Sequence, residues 1–124
     1  MTAVRARTDA QVHARSVQVD IAGIARFLDE NLGGKLTAYI AGVDSKTIKR
    51  WGREEQSPRE DAERRLRAAF QVFQLLQTVE AAPTIRAWFM GMNPQLNDAS
   101  PSEAIREDHH KEAMSAARAF INGG

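Results

Sequence analysis

The sequence predicts an all-α fold, and three of its features carry that prediction. Apolar residues recur at three- and four-residue spacing over several stretches, which is the repeat of an amphipathic helix. No stretch alternates apolar and polar residues as a half-buried strand does. Glycine or proline separates the periodic stretches, where helices commonly end or begin. We therefore expect a bundle of short helices.

The first part of the chain reads as a flexible tail, residues 1–18, followed by a four-helix domain, residues 19–79. Asp20 is a candidate cap for the first helix, and Gly42 is expected to end the second. The fourth helix has the longest apolar repeat and should begin near Pro58. The predicted helices cover residues 20–32, 36–41, 45–52 and about 59–79.

Residues 80–124 form a second predicted region of shorter elements. A helix should follow Pro83, and an Asn-Pro turn at Asn93 should follow that helix. A capped one-turn helix is expected to begin at Pro101, and a final amphipathic helix should cover residues 109–121.

Composition narrows the classes of function. The 124 residues include no cysteine, which excludes disulfides, thiolate metal sites and cysteine nucleophiles and fits a reducing cytoplasm. The arginine-containing N-terminus lacks the apolar core of a signal peptide. No run approaches the ~18 apolar residues of a membrane span. We expect a cytoplasmic protein.

Charge is distributed unevenly along the chain. The formal net charge is +1, yet residues 46–67 carry a net charge of +3 and residues 68–124 a net charge of −2. A basic middle and an acidic end indicate two surfaces with different partners. We hypothesise that Glu107, Asp108 and Glu112 complement a cationic rim on a protein partner.

A cationic helix follows the glycine at position 42. Two short helices joined by a glycine of positive φ cross steeply, and the small Ala38 permits a close approach. Val43, Ile48 and Trp51 should face the core, which leaves hydroxyls near the helix start and long cations pointing outward. Such a face fits the major groove of DNA, and the alternative is a solvated helix face without a partner. The candidate DNA-binding residues are Ser45, Lys46, Thr47, Lys49, Arg50 and Arg53.

This arrangement resembles the helix-turn-helix of the Xre type. The stretch IRAWFMGMNPQLNDASPSEAI then contains an aromatic pair, an Asn-Pro-x-Leu turn and a Pro-x-x-x-Ile helix. Their order resembles the Xre/MbcA/ParS-like toxin-binding antitoxin family over about residues 20–121. The matching residues are Trp88, Asn93, Pro94, Leu96, Pro101 and Ile105. Asn93-Pro94 is also an ordinary turn signal, so an architectural role stands beside a binding role.

The resemblance implies the antitoxin of a type II toxin–antitoxin pair. The implied partner is a RES-domain toxin, which degrades NAD, and the C-terminal region would cover the entrance to its active site. The helix-turn-helix half, assembled as a dimer, would bind operator DNA and act as a transcription repressor of the pair's own operon. Besides the six matching residues, the implied toxin-binding set contains Arg118, Phe120, Ile121, Asn122, Gly123 and Gly124.

No catalytic, metal or cofactor site is predicted. His109 and His110 diverge by about 100° on a helix, so they cannot share one metal ion. The sequence contains no complete glycine-rich phosphate loop and nothing that orders a Ser–His–Asp set. We therefore expect a protein that is not an enzyme and needs no cofactor.

Two other interpretations remain open from the sequence. One is a stand-alone helix-turn-helix transcriptional regulator whose C-terminal half only dimerises. The other is a protein-binding adaptor whose cationic helix never meets DNA. A neighbouring reading frame that encodes a RES-domain protein, toxic by itself, would distinguish the antitoxin from both.

Overall fold

The computed structural model describes residues 21–123, and this part of the chain is all helical, which confirms the predicted fold class. The predicted tail, residues 1–18, and the predicted cap at Asp20 lie outside the described residues. The elements are α1 Ile21–Leu32, α2 Gly34–Ala41, α3 Ser45–Gly52, α4 Glu60–Leu76, α5 Ala82–Met90, a 3-10 turn Pro94–Leu96, α6 Pro101–Arg106 and α7 His110–Ile121.

The turn between α2 and α3 is built as the sequence predicts. Gly42 has a φ of +81°, and its N–H donates to the carbonyl of Tyr39 at 3.3 Å. The N–H of Val43 donates to the carbonyl of Ala38 at 3.0 Å, which completes a Schellman motif. Because Ala38 is only 4% exposed, a larger side chain there would collide with packed neighbours. This turn fixes the direction in which α3 leaves α2.

Helix α4 is the central element of the bundle, and α1, α2, α6 and α7 all pack against it. Leu66 and Phe73 of α4 are fully buried, and the ring of Phe27 from α1 meets the ring of Phe73 edge-on at 5.0 Å. Ile105 of α6 and Ala117 of α7 are buried in the same cluster. The described parts of the two predicted regions, residues 21–79 and 80–123, therefore share one hydrophobic core.

Helix α4 ends at Leu76, somewhat before the predicted end near Val79. The side chain of Val79 is 53% exposed, so no apolar contact holds further helical turns in place. Although α4 is 17 residues long, none of the described helices has the length and apolar character that crossing a membrane requires.

Two arginines connect α2 to the C-terminal helices. Arg106 donates to the carbonyl of Tyr39 at 2.6 Å, and its guanidinium lies 4.6 Å from the centre of the Tyr39 ring. Arg65 of α4 donates to the carbonyl of Ala41 at 3.4 Å and also reaches Asp108 beyond α6. The turn before α3 and the turn before α7 are thus held by shared contacts.

Candidate functional site

The outward side of α3 carries the predicted cationic face. Lys46, Lys49, Arg50 and Arg53 are exposed, and none is buried against the body of the protein. Together with Ser45 and Glu55 they line a shallow depression of about 360 Å³. We call these six residues the basic face. An open depression lined by long cations complements the negative charge of a nucleic-acid backbone.

The inward side of α3 holds the helix in place. Ile48 is 1% and Trp51 3% exposed, so Trp51 is a core residue, as the sequence predicts. Val43 is half-buried and packs against the same core. Arg26 of α1 donates to the carbonyl of Gly52 at 2.6 Å and satisfies one of the last carbonyls of α3. A firmly seated helix presents its outer side chains in a fixed register.

The first turn of α3 is capped by Asp44. Its Oδ1 accepts hydrogen bonds from the N–H of Thr47 at 2.8 Å and from the Thr47 hydroxyl at 2.7 Å. The hydroxyl bond from Thr47 holds the pKa of Asp44 below its ordinary value, assisted by the backbone bond. Thr47, a candidate DNA contact, therefore has its hydroxyl hydrogen committed to the cap. Ser45 is half-buried at the same end of the helix.

Lys49 differs from the other cations of the basic face. Its Nζ lies 2.7 Å from Oδ2 of Asp29 on α1, and the two side chains are 53% and 20% exposed. Within residues 21–123, Lys46, Arg50 and Arg53 make no ion pair. The sequence could not reveal this difference, because Asp29 lies 20 positions before Lys49.

A second surface lies between α5, the 3-10 turn and the end of α7. It is a groove of about 480 Å³, and we call it the apolar groove. Met92 in this groove is 76% exposed and Phe120 is 37% exposed. The groove is lined by Trp88, Met92, Asn93, Pro94, Gln95, Ala116, Ala119, Phe120 and Gly123.

The walls of the apolar groove are fixed by local contacts. Oδ1 of Asn93 accepts from the N–H of Gln95 at 2.9 Å and starts the 3-10 turn. Trp88 meets Phe89 edge-on at 5.4 Å, and its ring lies 6.5 Å from that of Phe120 across the groove. The hydroxyl of Ser102 donates to the carbonyl of Phe89 at 2.7 Å, which joins α6 to the end of α5. These contacts place aromatic and turn residues from three elements in one surface.

The predicted toxin-binding residues fall into three groups. Trp88, Asn93, Pro94, Phe120 and Gly123 line the apolar groove, and the neighbouring Arg118 and Asn122 are exposed. Pro101 and Ile105 are buried and support the fold, and Leu96, which is 9% exposed, borders a depression that Glu107 and Glu112 also line. Ile121 is half-buried against the core, and Gly124 lies outside the described residues.

Sequence reasoning missed four groove residues, namely Met92, Gln95, Ala116 and Ala119. Met92 carried a usable signal, because an unbranched apolar side chain directly before an Asn-Pro turn has little core to enter. The two alanines gave none. Ala116 is buried while also bordering the groove.

The acidic hypothesis needs one correction. Asp108 is not an independent surface charge, because Nε and Nη2 of Arg65 donate to its two oxygens at 3.1 and 3.2 Å. The hydrogen bond from Arg65 holds the pKa of Asp108 below its ordinary value. Glu107 and Glu112 instead line a depression that shares Gln95 with the apolar groove. The acidic edge next to the groove therefore consists of these two glutamates.

The paired histidines have different surroundings. Burial lowers the pKa of His110, partly opposed by Asp108, whereas His109 is exposed. In the part of the chain that the structure describes, no group of three or more potential ligand side chains is placed to hold a metal ion.

No protein-family model matches the sequence, and no curated protein matches it either. In structure, the chain is similar to one from the crystal structure of the M. tuberculosis MbcT-MbcA toxin-antitoxin complex, with a TM-score of 0.72 and 19% sequence identity. The match covers 84% of this chain and 96% of that chain. At this identity the likeness shows a shared fold, and that fold is consistent with the Xre/MbcA/ParS-like antitoxin family that the sequence motifs resemble.

Proposed function

We propose that this protein is the antitoxin of a toxin–antitoxin pair and that the apolar groove is where it holds its toxin. The observation that carries the proposal is the fold likeness to a chain of a toxin–antitoxin complex, which covers 84% of this chain. The motif resemblance supports the same role independently, since it rests on residues and not on backbone shape.

The apolar groove supports a protein partner on physical grounds. Met92 and Phe120 keep much of their apolar surface in water, and Trp88 is half-buried beside them. A cluster of large exposed apolar side chains on a small protein usually marks an interaction surface. Aromatic residues and methionine are also the types enriched at the centres of protein interfaces.

The finer identity of the toxin follows from the resemblance. We infer a RES-domain toxin that degrades NAD, neutralised when the C-terminal region covers its active-site entrance. Arg118, Asn122 and Gly123 are exposed at the end of α7, directly beside the groove. A toxin docked in the groove would therefore lie against the C-terminal end of α7. Glu107 and Glu112 supply an acidic edge that suits a cationic pocket rim.

We also propose that the basic face binds operator DNA and thereby represses the pair's own operon. The support is the exposure of Lys46, Arg50 and Arg53 on a helix whose other side is seated in the core. Lys49 can join them once its pair with Asp29 opens. A dimer assembled through the helix-turn-helix half would place two such helices on one operator, as paired half-sites require.

The deciding experiment starts from the neighbouring reading frames. A neighbour that arrests growth alone, is harmless when co-expressed with this protein and co-purifies with it would support the antitoxin role. A RES-domain sequence in that neighbour, and recovery of cellular NAD on co-expression, would support the proposal that the partner is a RES-domain toxin that degrades NAD. If no neighbour is toxic and the chain is a dimer that binds its own promoter, the stand-alone regulator replaces the antitoxin.

A further inference from the structure

The ion pair between Lys49 and Asp29 joins the basic face to α1. Nζ of Lys49 lies 2.7 Å from Oδ2 of Asp29. The Asp29 side chain is 20% exposed and that of Lys49 is 53% exposed, so the carboxylate is the better-anchored member. Other groups compete for Lys49 more readily than for Asp29.

The carboxylate of Asp29 lies close to the start of α2. A Cβ added to Gly34, the first residue of α2, would lie 3.0 Å from Oδ1 of Asp29 and 3.8 Å from Cβ of Ser45. Oδ1 of Asp29 therefore lies near the backbone of Gly34, and Ser45 of α3 lies near the same glycine. The positive end of a helix dipole favours a carboxylate in such a place.

We propose that Asp29 is a specificity-determining residue, because it competes with DNA phosphates for Lys49. This inference rests on the DNA-binding part of the proposed function. On DNA of arbitrary sequence, binding depends almost wholly on phosphate contacts. While Asp29 holds Lys49, the basic face offers such DNA the cations Lys46, Arg50 and Arg53 only. On operator DNA, contacts to base edges can offset the free energy needed to open the Lys49–Asp29 ion pair. Asp29 therefore widens the gap between specific and non-specific affinity.

The test is Asp29→Asn, which keeps the shape of the side chain and removes its charge. Binding is measured on a scrambled duplex and on the protein's own promoter between about 50 and 200 mM salt. On the scrambled duplex, the variant should bind more tightly and show a salt slope steeper by about 0.9. The ratio of the variant's affinity for the scrambled duplex to that of the unmodified protein should then fall about 3.5-fold from the lowest to the highest salt concentration. On the promoter, the slope should change much less.

The matched control is Glu30→Gln. Glu30 is the next residue on α1, is exposed, and makes no ion pair within residues 21–123. The Glu30→Gln variant loses one negative charge, as Asp29→Asn does, but it does not release Lys49. Its salt slope on the scrambled duplex should therefore equal that of the unmodified protein. A slope change equal to that of Asp29→Asn would show a general charge effect and overturn the inference.

A second variant tests the same idea if Asp29→Asn disturbs the fold. On the scrambled duplex, Lys49→Gln should lower the slope by much less than Arg50→Gln, which should lower it by about 0.9. Equal losses for both variants would show that Lys49 already contacts phosphate and would refute the competition. If the unmodified protein binds neither duplex, the DNA-binding proposal itself fails, which is a different result from binding with an unchanged slope.

Discussion

The groove residue Met92 gives the sharpest test of the antitoxin role. We expect Met92→Ala to weaken toxin binding because 76% of this side chain is exposed and available for burial by a partner. Complete burial of a methionine side chain is worth about 1.5–3 kcal/mol, so covering the exposed share contributes roughly 1–2 kcal/mol. The corresponding rise in Kd is about 5- to 30-fold. Because the core hardly involves this side chain, the melting temperature should change little.

The assay is titration of the purified toxin with the antitoxin variant, paired with rescue of growth on co-expression. Met90→Ala is the matched control, since Met90 is 54% exposed but does not line the apolar groove. Growth rescue should be weaker with Met92→Ala and unchanged with Met90→Ala. Equal affinity of both variants for the toxin would show that the groove is not the docking surface.

Three further predictions concern the rest of the molecule. Arg50→Ala should weaken operator binding and reduce its salt slope by about 0.9, measured by fluorescence anisotropy, while toxin rescue is retained. Ile105→Ala removes a fully buried side chain and should lower the free energy of unfolding by about 2–5 kcal/mol in urea melts. The pKa of Asp108 is lowered in the folded protein, so its ionised carboxylate stabilises the fold at pH values above the unfolded pKa of about 3.9. This stabilisation is lost as the pH falls through the folded pKa. At pH 7, Asp108→Asn should therefore lower the free energy of unfolding by no more than about 1 kcal/mol, because the Asp108 side chain is 49% exposed. The difference from the unmodified protein should vanish in acid.

Much of the fold could be predicted because its signals are local. Gly42 and Ala38 lie within one turn of each other, and the chain around them allows few alternatives to a Schellman motif. The predicted cap of the helix at Pro101 is local as well, since the hydroxyl of Ser100 accepts from the N–H of Glu103, three positions on. The end of α4 was harder to predict, because Val79 is apolar in sequence yet finds no packing partner in space.

The candidate site was only partly predictable because its decisive contacts are distant in sequence. Lys49 of the basic face pairs with Asp29 across 20 positions, and the ring of Trp88 lies 6.5 Å from that of Phe120 across the apolar groove. No periodicity or spacing rule reports such pairs. The apolar groove likewise exists only after α7 is placed beside Trp88 and the 3-10 turn. The family resemblance placed buried Ile105 and exposed Phe120 in one toxin-binding set, although only the exposed residue can meet a partner.

The two proposed activities should be separable by mutation at their surfaces but not in the core. The lining of the basic face and the lining of the apolar groove have no residue in common. Arg50→Ala and Met92→Ala should therefore each weaken one activity and spare the other. Ile105, by contrast, belongs to a core that also contains Trp51 of α3 and Phe89 of α5. Its truncation should weaken DNA and toxin binding together, in proportion to the fraction of unfolded protein, and a selective loss of either would contradict a single cooperative fold.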